Sequence, residues 1–114
     1  MPIYLTTPFN PGDLDTGKTY PRAQIAAITI GLEPGLRRSP FITTRYNFGD
    51  IVSGVWTRGN ASPDMEVRIS DTDYETMVAS GIATESEDYN VYNAVKRIIY
   101  TYLIDNGYLV GTIE

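Results

Sequence analysis

The chain has 114 residues, 42% hydrophobic and 20% charged, with a net charge of −5 and a pI near 4.6. That composition suits one globular domain with a real core and little interior left for a deep pocket. It contains no histidine and no cysteine, so imidazole bases, thiolate nucleophiles, disulfides and sulfur-ligated metals are excluded.

The acidic balance disfavours DNA, RNA and anionic membranes, which bind clustered Lys and Arg. The seven arginines are scattered apart from the pair Arg37-Arg38. No apolar run reaches transmembrane length. The segment MPIYLTTPF lacks the basic region and apolar stretch of a signal peptide. Absent cysteine fits the cytoplasm, or a particle assembled there and later released. Asn60-Ala61-Ser62 spells a glycosylation sequon, but Pro63 follows it and no secretion signal accompanies it.

Residues 1–22 are expected to form an extended arm. Four of the seven prolines (Pro2, Pro8, Pro11, Pro21) lie there with Gly12 and Gly17 between them, too much punctuation for a helix or long strand. Ile3-Tyr4-Leu5 is long enough only for a short edge strand. Residues 23–114 are expected to form the domain proper.

Residues 22–32 carry two signals. Pro21 can open a helix, whereas Ile28, Ile30 and Leu32 alternate and suit a strand; the strand is favoured. Residues 41–48 alternate, with Ile42, Thr44, Tyr46 and Phe48 on one face. Gly49-Asp50 is expected to turn the chain into a return strand over 51–57, with Gly54 as a bulge or close approach. Trp56 reads as core. Residues 65–69 place Met65, Val67 and Ile69 inward. The strands together predict an antiparallel meander with one wet face.

The period then changes. Thr72-Asp73-Tyr74-Glu75 fits a capping box, predicting a short helix to Ser80 that stops at Gly81. Residues 82–88 read as an acidic linker. Asp88 can cap a long C-terminal helix and Asn106-Gly107 can end it. Val91, Tyr92, Val95, Ile98, Ile99, Tyr102 and Leu103 fall within one apolar stripe, expected to lie on the sheet. The fold class is therefore α+β: a small antiparallel sheet, one long helix and one short one.

Tyr100 and Ile104 fall on the polar side of that helix, and Tyr108, Leu109, Val110 and Ile113 follow it. Five of the nine tyrosines lie between residues 89 and 108. Tyrosine brings apolar area with few rotors and a polar tip, as interfaces favour. Ile3, Tyr4, Phe9, Tyr100, Ile104, Tyr108, Leu109 and Ile113 are thus the candidate contact residues.

Gly12-Asp13-Leu14-Asp15-Thr16-Gly17-Lys18-Thr19 matches the phosphate-loop pattern G-x-x-x-x-G-K-[ST]. That loop works between a strand and a helix, turning amides toward phosphate. Here prolines precede it, Asp13 and Asp15 would stand inside the anion cradle, and Tyr20-Pro21 disfavours a following helix. A polar turn is the favoured reading. Asp71 and Asp73 read as helix-start acids, and Asp13 with Asp15 as a solvated turn. No catalytic, cofactor-binding or metal-binding residue is assigned, and no enzyme activity is expected.

In the segments PFNPGDLDTGKTYPRA, FGDIVSGVWTRG and VYNAVKRIIYTYLIDNGYLVGTIE the chain resembles the small structural proteins of tailed-bacteriophage virions. The resemblance is one of overall layout. It implies many copies per particle, contacts with copies of itself and with other virion proteins at head, neck or tail, and no catalysis. The alternatives are a monomeric protein-binding module or small regulator, and a nucleotide-binding protein using Gly12–Thr19.

Overall fold

The computed structural model describes residues 2–31, 41–79 and 91–114. Among the described residues six strands form one antiparallel sheet: β1 (Ile3–Phe9), β2 (Tyr20–Gly31), β3 (Phe41–Val52), β4 (Val55–Arg58), β5 (Met65–Ser70) and β6 (Gly111–Ile113). Two helices, α1 (Asp71–Ala79) and α2 (Val91–Asp105), accompany it. The chain is α+β, in line with its change of period near residue 70.

The sheet is not a plain meander. Its order runs β6-β1-β2-β3, and β3 serves two neighbours along its remaining edge. β5 pairs with the first half of β3, from Phe41↔Ser70 to Tyr46↔Met65. β4 pairs with the second half, from Gly49↔Arg58 to Val52↔Val55. Between them two groups continue the edge: the Phe48 amide donates to Ser62 Oγ (2.7 Å), and the Phe48 carbonyl accepts from the Gly59 amide (2.9 Å).

Residues 3–9 correct the expectation of an arm. β1 lies inside the sheet, between β2 and β6, with Ile3 opposite Ala23 on one side and Ile113 on the other. Ile3 and Leu5 are buried. The prolines are absorbed by irregularity: the β1–β2 register shifts between Tyr4 and Phe9, the stretch that contains Pro8. A proline, lacking its N–H, is tolerated where a ladder is interrupted.

Two further boundaries shift. Gly49-Asp50 does not turn the chain; β3 runs on to Val52. The turn is Ser53-Gly54, both at positive φ (52° and 78°), the geometry of a two-residue hairpin loop whose twist matches its strands. Gly54 is therefore a turn residue and not a bulge. Residues 20–31 are a strand, as favoured, with a register shift between Ile25 and Ala27.

α1 is capped two residues before the expected Thr72. Ser70 Oγ accepts the Asp73 amide (3.2 Å), so Ser70 is the cap, and Asp71 and Asp73 sit in the first turn where carboxylates complement the dipole. The expected stop at Gly81, the 82–88 linker and the Asp88 cap lie outside the described residues. α2 ends as expected. Gly107 adopts a φ of 77°, its amide donates to Ile104 O (3.1 Å) and the Tyr108 amide donates to Leu103 O (2.9 Å), which is a Schellman cap.

The core joins one face of the sheet to α2. Ile3, Ala23, Ile25, Ile42, Tyr46, Val67 and Ile69 cluster with Ile99, Tyr100 and Leu103. Each large side chain so buried contributes roughly 1.5–3 kcal/mol. Ile42, Thr44, Tyr46 and Phe48 are all buried, as their alternation predicts. Met65, expected inward, remains 41% exposed.

Candidate interaction surfaces

The eight candidate contact residues divide into three groups. Ile3, Tyr100 and Leu109 are buried within their own chain. Phe9, Ile104 and Ile113 are half-buried against the same core. Only Tyr4 and Tyr108 are substantially exposed, at 48% and 51%.

Tyr100 is the clearest correction. It is fully buried, and its hydroxyl accepts the amide proton of Ile25 (2.9 Å). That amide lies at the register shift of β2, where the ladder to β3 slips. Burial pushes the Tyr100 phenol up to about 12, partly opposed by the hydrogen bond from Ile25. The helix buries a wider arc than the stripe alone, because a bulged strand supplies a polar partner for one hydroxyl.

Two of the candidates that remain near the surface, Phe9 and Tyr108, share a groove with Leu5, Phe48, Leu109 and Val110, of about 430 Å³. The Phe9 ring stacks on Phe48 at 4.2 Å between centroids. Tyr108 and Val110 line the groove at 51% and 64% exposure. The Schellman cap aims this rim, since the chain reverses at Gly107 before entering β6.

A second apolar surface escaped the sequence reading. Val52 and Val55 flank the hairpin turn at 55% and 65% exposure, and Ile51 is 38% exposed. Trp56 is half-buried and stands outside the core cluster. A signal was present: apolar residues on both sides of a two-residue turn bury each other only if something lies beneath the tip. A turn placed at Gly49-Asp50 hides it, because the valines then fall along a strand and not at its tip.

The Gly12–Thr19 segment links the antiparallel strands β1 and β2 through a short 3₁₀ turn, Gly12–Asp15. A strand, not a helix, follows Thr19. One of its two acids, Asp15, is committed to the fold. Asp15 accepts the Tyr20 hydroxyl proton (2.6 Å), and that hydroxyl oxygen accepts the Ala61 amide (3.1 Å). Burial and the Asp15 hydrogen bond both raise the Tyr20 pKa. The Tyr20 ring lies against Gly59, where a β-carbon would strike it. Lys18 borders a groove of about 290 Å³ with Asp15, Asp50, Arg58 and Asn60. Acids and bases alternate around it, so no single sign of charge is presented.

The wet face carries an ion network. Arg22 donates to Glu114 (2.9 and 3.1 Å) and to Asp50 (2.5 Å) and lies over the Tyr4 ring, 5.0 Å from its centroid. The hydrogen bonds to Glu114 and then Asp50 raise the Arg22 pKa above its already high value. This network ties the end of the sheet at β6 to β3.

Among the described residues, no group of three or more acidic, His or Cys side chains is placed to hold a metal ion. No described helix is long and apolar enough to cross a membrane. Comparison of the chain with known protein families, curated proteins and solved structures finds no match.

Proposed function

We propose that this chain is a non-enzymatic structural subunit of a multi-subunit particle, of the kind found in tailed-bacteriophage virions. Its partners are copies of itself and other proteins of that particle. It works by covering apolar surface that its own core leaves in water. One observation carries the reading: exposed Tyr108 and Val110 rim a groove lined by Leu5, Phe9, Phe48 and Leu109, with Thr7, Pro8 and Asn10 completing the lining. Exposed Tyr108 and Val110 continue the apolar floor of the groove to the surface, and tyrosine is among the residues that interfaces concentrate.

The contacts assigned to Tyr100 and to the arm pass to this rim and to the hairpin tip of Ile51, Val52 and Val55. Overall charge does not oppose the reading, since a net charge of −5 keeps free subunits soluble until specific contacts form.

Sedimentation equilibrium tests it. The wild-type chain associates with a Kd in the micromolar range, about −8 kcal/mol. The double variant Tyr108→Ser, Val110→Ser keeps its circular dichroism spectrum and runs as a monomer. Wild type that stays monomeric at concentrations up to about 100 μM overturns the contact between copies of the chain, the part of the proposal that this groove carries.

A further inference from the structure

We propose that Asn106 is the chain's site of spontaneous deamidation, and that the end of α2 holds it unreactive until the segment 106–114 opens. Asn106-Gly107 is the only Asn-Gly pair in the sequence. Glycine offers no side chain to obstruct attack by its own amide. In the reaction the Gly107 nitrogen bonds to Asn106 Cγ and gives up its proton. The side-chain Nδ2 leaves as ammonia, and water then opens the five-membered imide to aspartate or isoaspartate.

The fold occupies both reacting groups. The Gly107 amide donates to Ile104 O (3.1 Å). Asn106 Nδ2 donates to Tyr102 O (2.9 Å), which turns the carboxamide back along the helix, whereas attack needs Cγ brought forward onto Gly107. Asn106 and Gly107 are themselves exposed, so water reaches the site once it opens. Reaction therefore follows loss of two hydrogen bonds, a local opening of the helix end.

The product does not restore the cap. A new carboxylate stands beside Asp105 at the C-terminal end of α2, where negative charge opposes the dipole, and the Tyr102 carbonyl loses its side-chain donor. Isoaspartate also lengthens the backbone by one carbon within the span of the Tyr108–Leu103 bond. Modification thus loosens the turn that leads into buried Leu109 and into β6.

The test holds wild type, folded and in guanidinium chloride, at mildly alkaline pH and follows residue 106 by peptide-mapping mass spectrometry. Deamidation at 106 is at least about tenfold slower in the folded protein. Ile113→Ala, which weakens the seat of β6, raises the folded rate. Asn106→Gln removes the modification. Equal rates in the folded and denatured states overturn the proposal, as does a different asparagine reacting first in the denatured chain. A folded Ile113→Ala variant that reacts no faster than wild type overturns the opening step.

Discussion

The Tyr100 hydroxyl takes the amide proton of Ile25 at 2.9 Å, joining α2 to the register shift in β2. Tyr100→Phe keeps the ring and leaves that buried amide unpaired. The expected loss is about 1–3 kcal/mol, read from urea denaturation at constant m-value. Tyr100→Ala adds a cavity and costs about 3–5 kcal/mol. A Phe variant as stable as wild type would show that water already serves the amide.

Alkaline pH should unfold the protein through the same group. The Tyr100 phenol ionises near 10 in the unfolded chain and at about 12 in the folded one. Its contribution is complete below pH 10 and is lost as pH rises toward 12, because the unfolded state sheds its proton first. The shift corresponds to about 3 kcal/mol. Tyr46 and Tyr74, raised by burial, act in the same direction. Denaturation midpoints measured across that range should fall, and Tyr100→Phe should flatten the fall.

Gly49 sits in β3 where β4 approaches closely. A β-carbon there would run into the Thr57 carbonyl oxygen and lie 3.0 Å from Arg58 Cα. Both obstacles are backbone, which yields less easily than a side chain. Gly49→Ala should destabilise by about 1–3 kcal/mol, with exchange of the β4 amides accelerated in hydrogen-exchange mass spectrometry. Unchanged β4 protection would mean that the hairpin can shift at no cost.

Ser62 stands in for a strand. Its buried hydroxyl takes the Phe48 amide at 2.7 Å, in the gap between β4 and β5. Ser62→Ala leaves that amide without a partner and should cost about 1–3 kcal/mol. Ser62→Thr, which keeps the hydroxyl, should recover much of the loss. The check is thermal denaturation of the three proteins side by side.

Strand alternation and the long helix were legible because burial on one face imposes a period. Ile42 to Phe48 and, on α2, buried Ile98, Ile99 and Leu103 follow from that period alone. The placement of β1 was not legible. Its prolines signal interruption, and only a partner on each side shows that the interruption sits within a sheet. Tyr100 was misplaced for a related reason: a helical wheel assumes one flat apolar face, and it cannot see a bulge that offers an amide. The cap at Ser70 was hidden because Ser-Asp-Thr-Asp contains two hydroxyls, either able to begin a helix. For the contact surface, the tyrosine at 108 was readable from its position after the helix, whereas the valines at 52 and 55 depended on where the hairpin turned.

The position of β1 between β2 and β6 has a consequence for the order of events on the ribosome. Strands β1 to β3 emerge early and can pair, yet the helix that covers their apolar face and the strand that flanks β1 come only with residues 91–113. Until those residues appear, the nascent sheet offers an apolar face to water. At about 5–20 residues per second, the sheet waits on the order of several seconds of synthesis for its cover.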